Sequence, residues 1–189
     1  IERVKALGQS AVAITDHGVM FGAVDFYKCA KKHGVKPIIG CEVYVAPRSR
    51  FDKQHKIDTS PYHLILLCKN ETGYQNLIKM VSAGFVEGFY SKPRIDRALL
   101  EQYHEGLICL SACLAGEIPR MLAQGDYACA KETAVWYRDL FGADNYYIEI
   151  QNHGIRLQQQ ILPDLVRLAG EIGVGLVATN DAHYIEKAD

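Results

Sequence analysis

The chain has 189 residues, of which 49% are hydrophobic and 23% charged, a composition typical of a globular protein with one buried core. Its net charge of -1 excludes a protein that binds nucleic acid through overall positive charge, so any such contact has to be local. The six cysteines include no Cys-x-x-Cys pair, and a disulfide framework is not expected at this size, which favours a reducing cytoplasm. We expect neither a signal peptide nor a membrane-spanning segment, because no apolar stretch is long enough.

Short apolar runs between polar or glycine-rich segments predict β-strands at residues 11–15, 37–46, 62–68, 106–111, 145–151 and 174–179. The spacing of apolar residues predicts helices at residues 1–8, 20–33, 71–83, 97–103, 115–123, 127–140 and 156–172. Pro163 is expected to bend the last helix or to mark a restart. The polar stretch 47–61 is expected to be a mobile loop, and residues 84–96 an irregular segment.

Strands that alternate with helices favour an α/β fold with a mostly parallel sheet and right-handed helical crossovers. A doubly wound sheet and a β/α barrel both fit this order. Residues that can bind metals lie at the ends of five strands. This number favours a barrel, because in an open sheet only the strands near the switch point reach one pocket. We see no internal repeats and predict a single domain over residues 1–189.

The residues that can bind metals are imidazoles, carboxylates and one thiol. They are Asp16, His17, Glu42, His63, Cys113, Asp181 and His183. In a barrel these strand ends converge on one pocket, and such ligands suit divalent transition metals, mainly zinc or manganese. Asp181 and His183 form a specific local pattern, because their i, i+2 spacing puts both side chains on one face of an extended segment. Glu42 stands in an apolar strand, where it needs a cation or an arginine neighbour unless it faces solvent on an edge strand.

Several of these residues also have an ordinary structural explanation. Asp16 could cap the helix that follows, or could orient His17 through a hydrogen bond while His17 binds the metal. His63 could be a rim residue with satisfied hydrogen bonds, and Cys113 could simply pack in the core. His153, which follows the fifth predicted strand, is a further candidate ligand.

Two or three neighbouring divalent ions suit the hydrolysis of phosphoesters, because they lower the pKa of a bound water and stabilise the charge that develops on the leaving oxygen. Arg94, in the segment Lys-Pro-Arg-Ile-Asp, is expected to lie on a loop that binds the phosphate. We expect Asp181, His183 and Arg94 to act in catalysis. The chain has no Walker loop, no Gly-x-Gly-x-x-Gly motif and no Gly-x-Ser-x-Gly motif, which argues against nucleotide-fold ATPases, dehydrogenases and serine hydrolases.

Six segments resemble the PHP (polymerase and histidinol phosphatase) domain of bacterial DNA polymerase III alpha subunits, and they run through nearly all of the chain. They are AITDHGVMFGAVDFY, KPIIGCEVYVAP, YHLILLCKNETGYQNLIKMVS, GFYSKPRID, GLICLSACLAGEIP and VATNDAHY. The resemblance implies a distorted seven-stranded β/α barrel with a centre of up to three zinc, manganese or iron ions. The ligands that it implies are His17, Glu42, His63, Cys113, Asp181 and His183.

The resemblance also implies a function in DNA replication. A domain that keeps the ligands is expected to be a metal-dependent 3′–5′ exonuclease that trims mismatched primer ends, within a DNA-directed DNA polymerase. The implied partners are primer–template DNA and other replicase subunits, namely the sliding clamp and the proofreading subunit. Two alternatives stay open. One is a non-catalytic module that stabilises the polymerase and docks the proofreading subunit, and the other is a phosphatase of the histidinol-phosphate type.

The family pattern begins with a strand that carries a His-x-His pair, and no such strand precedes Ile1 in this sequence. We therefore expect a barrel that lacks its first strand and has unpaired edges. The chain is expected to be a fragment of a longer protein. On its own it is expected to bind fewer metals and to be inactive as an exonuclease.

Overall fold

The computed structural model describes residues 1–186, which contain seven strands and seven helices. The strands are β1 (Ala11–Ile14), β2 (Lys36–Val45), β3 (Tyr62–Cys68), β4 (Arg94–Ile95), β5 (Leu107–Leu110), β6 (Tyr146–Ile150) and β7 (Gly175–Ala178). The helices are α1 (Glu2–Ala6), α2 (Ala23–Lys32), α3 (Glu71–Val86), α4 (Arg97–Tyr103), α5 (Glu117–Ala123), α6 (Tyr127–Phe141) and α7 (Arg156–Ile172). All six predicted strands are present, and the short β4 lies in the segment that was expected to be irregular.

The strands form one curled sheet, a half-barrel, in the order β1-β2-β3-β5-β6-β7, with β4 beside β2. β2 is parallel to β1 and β4, and β6 is parallel to β5 and β7. β3 is antiparallel to both β2 and β5. The predicted α/β class with a mostly parallel sheet is therefore confirmed, and β3 is the antiparallel exception. No helix lies between β2 and β3, so the chain turns back and pairs in the antiparallel direction.

The half-barrel is open between its two outer strands. Within residues 1–186, β1 and β7 do not pair with each other. The curvature of the sheet nevertheless brings both strands to one cavity, which is lined by Ala13 and Ile14 from β1 and by Val177 from β7. The barrel-like shape predicted from the sequence is thus present without closure of the sheet.

The two faces of the sheet bury different groups, because side chains alternate along a strand. Cys41 and Val43 of β2 point to the outer face, where they join the main hydrophobic core against helices α3 to α7. Ile65 and Leu110 form a smaller apolar cluster that does not include these residues. Glu42 lies between Cys41 and Val43, so its carboxylate points to the inner face, into the half-barrel.

Helix α7 runs through Pro163 without the restart that the sequence suggested. Pro163 is exposed, so the carbonyl that loses its helical hydrogen bond lies on the solvent side. Ile161, Leu165 and Leu168 are buried on the opposite side, and this packing keeps the helix continuous. Although α7 is 17 residues long, neither it nor any other helix within residues 1–186 has the length and apolar character that a membrane crossing requires.

The segment 47–61, predicted to be a mobile loop, is built around the buried carboxylate of Asp58, which pairs with the half-exposed Arg48. Asp58 is 0% exposed, and its carboxylate accepts hydrogen bonds from Arg48 Nε (3.1 Å), Arg48 Nη2 (2.6 Å) and Gln54 N (2.8 Å). The hydrogen bond from the Arg48 guanidinium holds the pKa of the Asp58 carboxyl below its usual value. The polar side chains of this segment therefore pair with one another, and the segment is an irregular loop folded around Asp58.

Candidate metal centre

The turn that follows β1 is held against the end of β2 by backbone hydrogen bonds. Glu42 N donates to Asp16 O (3.1 Å), and Gly18 N donates to Glu42 O (2.9 Å). Gly18 has a φ of 68°, and a Cβ at this position would come within 2.9 Å of the Tyr44 ring, so the turn requires glycine. These contacts place the His17 side chain beside Glu42.

His17, Glu42 and His63 form a compact cluster of potential metal ligands at this rim. One donor atom from each residue lies within 4.8 Å of the other two. His17 Nε2 is 3.3 Å from Glu42 Oε1, and His63 Nδ1 also contacts that oxygen. Glu42 is 5% exposed, and among the described residues no group other than these two imidazoles approaches its Oε1. A buried carboxylate oxygen between two imidazoles is the arrangement expected where a cation binds.

Cys113 and His183 extend this cluster on two sides. Cys113 Sγ is 3.9 Å from His63 Nδ1. The turn that carries Cys113 is fixed to β3 by a hydrogen bond from His63 N to Ala115 O (3.1 Å). The centre of the His183 ring is 5.6 Å from that of the His17 ring. Thiol and imidazole groups from distant parts of the chain therefore meet at the same rim.

Asp181 stands on the segment that follows β7. It lines the same cavity as His17 and Glu42, and its backbone oxygen is 2.9 Å from His183 Nδ1. The six residues implied as ligands therefore surround one rim. Three of them form the compact cluster, while Cys113, Asp181 and His183 lie around it.

The pKa of His63 is raised to about 9, first by its contact with the Cys113 thiol and then by the Glu42 carboxylate. Without a metal, this imidazole is therefore protonated at neutral pH. An imidazole that binds a metal has to be neutral, so cation binding in this pH range releases a proton from His63. A cation bound by His63 would therefore compete with a proton for this side chain.

A cavity of about 620 Å³ lies inside the half-barrel next to this rim. Part of its wall is apolar and is formed by Ile65, Leu110 and Val177. Four carboxylates also line it, from Asp16, Glu42, Glu149 and Asp181. No lysine or arginine stands among the described residues that line it. The cavity is thus anionic, and it should attract cations and repel a phosphate group until cations are bound.

Glu149 is a candidate functional residue that the sequence analysis missed. It lies on β6 and is 5% exposed. Its Oε1 accepts hydrogen bonds from Gln151 Nε2 (3.1 Å) and Thr179 Oγ1, while its buried Oε2 has no donor among the described residues. Burial raises the pKa of this carboxyl. The alternation of side chains along β6 could have indicated this position. It puts Glu149 on the same face as Tyr147, which packs on the inner apolar cluster.

His153 is not part of the ligand cluster, although it was predicted as a further candidate ligand. Asp16 does not orient His17, which was one of its predicted roles. His153 Nδ1 is 3.1 Å from Gln158 Nε2, and His153 Nε2 is 2.9 Å from Asn180 O. With both ring nitrogens engaged, His153 anchors the segment after β7 and does not join the ligand cluster. The Asp16 side chain lines the cavity, but within residues 1–186 it makes no hydrogen bond to His17, so the predicted orienting contact is not seen.

Arg94 lies away from the cavity, contrary to the expectation that a loop presents it to a phosphate. It is on β4 and is 0% exposed. Each of its three guanidinium nitrogens donates to backbone carbonyls, those of Arg50, Asp52, Asp58 and Gly88. The side chain therefore anchors the segment 47–61, and assigning it to phosphate binding does not fit this position.

We expect the cysteines to differ sharply in reactivity. Burial raises the pKa of Cys41 to about 12, and Cys109 is also fully buried, whereas Cys29 is exposed. Iodoacetamide at neutral pH should therefore label Cys29 in the folded protein and leave Cys41 and Cys109 unmodified, as measured by mass spectrometry of peptides. All three should be labelled in urea. Equal labelling of Cys41 and Cys29 in the folded protein would contradict this placement of β2.

Residues 1–153 match the family described as the PHP domain. The chain is 54% identical over 190 residues to the DNA polymerase III subunit alpha of Treponema pallidum (strain Nichols), an alignment that covers 100% of this chain and 16% of the relative. It is 49% identical over 190 residues to the DNA polymerase III subunit alpha of Borreliella burgdorferi, again with 100% and 16% coverage. The chain thus spans 16% of the length of these curated relatives.

Among solved structures, the fold is similar to that of a protein from Bifidobacterium adolescentis provisionally assigned as a metal-dependent phosphoesterase. The TM-score is 0.57 at 11% identity, with coverage of 97% of this chain and 81% of the other. At this identity the likeness shows the fold alone. The family match, by contrast, covers most of the chain and includes His17, Glu42, His63 and Cys113. The chain therefore belongs to the PHP domain family.

Proposed function

We propose that this chain is part of a bacterial DNA polymerase III alpha subunit and that its centre hydrolyses phosphodiester bonds with divalent metal ions. The proposed activity is a 3′–5′ exonuclease that removes mismatched nucleotides from a primer end. The observation that carries the proposal is the cluster of His17, Glu42 and His63, in which a buried carboxylate oxygen lies between two imidazoles. The proposed partners are primer–template DNA, the sliding clamp and the proofreading subunit, in the cytoplasm.

The donor set fits a transition metal. The residues that would hold the ions are His17, Glu42, His63, Cys113, Asp181 and His183. Nitrogen and sulfur donors favour zinc, manganese or iron over magnesium and calcium, which prefer sites made of oxygen alone. When bound, such ions supply Lewis acidity, which lowers the pKa of water and stabilises negative charge on phosphate oxygens.

The remaining cavity residues would control access and proton transfer. The carboxylate of Asp16 adds to the negative charge of the cavity, so a phosphodiester is favoured there once the centre carries positive charge. Ile65 and Leu110 give the cavity an apolar wall that limits access of bulk water. Glu149 Oε2 is buried and without a donor, and its raised pKa suits it to accept a proton during the reaction.

A structural role is a second proposal, and one observation favours it. The three clustered side chains come from the turn after β1, from β2 and from the start of β3. A shared cation would therefore link three segments of the half-barrel, and its binding free energy would add to the free energy of folding. In that case the centre would stabilise the polymerase and would not cleave DNA.

Replacing Asp181 with asparagine in the full-length protein separates these roles. We expect the rate of primer trimming to fall roughly 10- to 100-fold, because the centre loses a carboxylate while the side-chain volume is kept. Trimming is measured on a primer with a mismatched 3′ end after loading with Mn²⁺, and the melting temperature and the polymerisation rate are measured on the same sample. The Asp181 side chain is 34% exposed and the other implied ligands remain, so the melting temperature should fall by no more than the stabilisation that bound Mn²⁺ supplies, and polymerisation should continue.

The matched control is Asp144→Asn, which changes an exposed carboxylate in the turn before β6 and should leave trimming unchanged. If Asp181→Asn instead lowers the melting temperature and abolishes polymerisation, the structural role is supported. Trimming at the wild-type rate by the Asp181→Asn protein would contradict the exonuclease proposal.

A further inference from the structure

The proposed function requires positive charge that binds the nucleic-acid strand, and the anionic cavity does not provide it. A nucleic-acid strand carries a negative charge at every phosphate, and metal ions held by His17, Glu42 and His63 would neutralise only those next to the scissile bond. The described residues that line the cavity include no lysine or arginine, and Arg94 is buried elsewhere. A cation that binds the rest of the strand has to stand at the rim, outside the cavity.

Lys92 is such a cation. Its side chain is exposed, and its Nζ lies 5.4 Å from the centre of the Tyr44 ring, within the range of a cation–π interaction. The Tyr44 ring is in turn 5.2 Å from the His63 ring and 6.4 Å from the His17 ring. One aromatic side chain therefore separates the Lys92 ammonium from two of the clustered ligands.

The backbone fixes the position of Lys92 relative to the centre. Tyr90 N donates to Lys92 O (3.0 Å), and Ser91 between them has a φ of 61°, which makes a tight turn. Pro93 packs so closely on the turn after β1 that a Cβ on Gly18 would lie 2.9 Å from Pro93 Cγ. Arg94, which follows Pro93, is fixed by its own buried side chain. Lys92 is thus presented from a packed turn and not from a mobile loop.

The charge of Lys92 is available to a ligand. Arg48, Arg50 and Arg97, which lie in the neighbouring segments, each pair with a carboxylate. Lys92 makes no ion pair with any residue between 1 and 186. An ammonium carried by a packed turn, without an ion pair among residues 1–186 and beside a proposed phosphodiesterase centre, is suited to bind an anionic group of the substrate.

We infer that Lys92 binds a backbone phosphate of a single-stranded nucleic acid, next to the nucleotide whose bond is cleaved. The inference rests on the proposed function, because it assigns a contact of the same site with its substrate. Lys92 would act by positioning the strand and not by taking part in bond cleavage. It would also favour polynucleotides over small phosphodiesters, which have no neighbouring phosphate.

The test compares two substrates of the full-length protein loaded with Mn²⁺: oligo(dT) and bis(4-nitrophenyl) phosphate, a diester with a single phosphate. For Lys92→Ala, the ratio of kcat/KM for oligo(dT) to that for the small diester should fall about 10-fold, mainly through KM. The slope of log KM against log salt should decrease by about 0.7, the value expected for loss of one contact to a single strand. Lys92→Arg should restore most of the ratio, because it keeps the positive charge.

Lys79→Ala is the matched control, because Lys79 Nζ also lies over a tyrosine ring, 5.5 Å from the centre of Tyr103, but on α3. It should leave the ratio unchanged. An unchanged ratio and salt slope in Lys92→Ala would overturn the inference. If the wild-type protein cleaves neither substrate, the proposed function fails. The assignment of Lys92 is then decided by fluorescence anisotropy of metal-loaded protein with oligo(dT), where equal affinity of wild type and Lys92→Ala would overturn it.

Discussion

Replacing Glu42 with glutamine is expected to weaken metal binding at the centre by at least about 100-fold. Losing a residue that only hydrogen-bonds to a metal ligand costs up to about 100-fold in metal affinity, and loss of a ligand itself should cost at least as much. Glu42 supplies the buried oxygen that both imidazoles approach, and a neutral amide cannot balance the charge of a cation there. Metal content after dialysis, measured by mass spectrometry of the elements, should fall by at least one ion per chain. Glu132→Gln, at an exposed position of α6, should keep the wild-type content.

A thermal measurement gives an independent check of the Glu42 prediction. A cation at about 100 times its dissociation constant stabilises the protein that binds it by about 2.7 kcal/mol. The wild-type protein should therefore melt at a higher temperature when Mn²⁺ or Zn²⁺ is added, and Glu42→Gln should lose most of this increase. Equal stabilisation of both proteins would show that the cations bind elsewhere.

Replacing Arg94 with methionine is expected to lower the free energy of unfolding by about 3 to 4 kcal/mol. Arg94 is 0% exposed, and its guanidinium donates to four backbone carbonyls at 2.9 to 3.1 Å. Methionine fills similar space but leaves these acceptors without a donor. Urea unfolding followed by circular dichroism measures the change, and limited proteolysis should show earlier cleavage within residues 47–61.

Two further variants define what Arg94 contributes. Arg94→Lys should recover only part of the stability, because an ammonium has a compact set of donors and cannot reach carbonyls on several sides. Arg156→Met, at the exposed start of α7, should change the free energy of unfolding by no more than about 0.5 kcal/mol. A loss below about 1 kcal/mol for Arg94→Met would mean that water replaces the guanidinium, and that the segment 47–61 does not depend on it.

Much of the rim could be predicted from the sequence because its geometry follows from strand alternation. Glu42 lies between two outward-facing apolar residues, and His63 begins a strand that pairs with β2. Residues that end one strand and begin its antiparallel neighbour reach the same edge, so His63 meets the centre although β3 runs in the opposite direction.

Other features depend on contacts between distant segments, which local patterns do not report. The carbonyls that bind Arg94 include that of Arg50, which is 44 residues away in the sequence. In the sequence alone, Arg94 has the same appearance as an exposed phosphate-binding arginine. Glu149 was missed for a related reason: a single acidic residue in an alternating strand is ordinary, and its importance arises only because the curled sheet brings it to the same cavity as Glu42.

The two faces of the sheet carry different kinds of residues, and this difference has a consequence for how the sequences of such domains diverge in evolution. The helix-covered face holds most of the buried apolar side chains, among them Leu66 at 0% exposure, whereas Glu42 belongs to the concave face. Natural selection can therefore act on each side separately. We expect homologues that have lost the proposed activity to keep the fold. Their residues should change first on the concave face, and only later in the core beneath the helices.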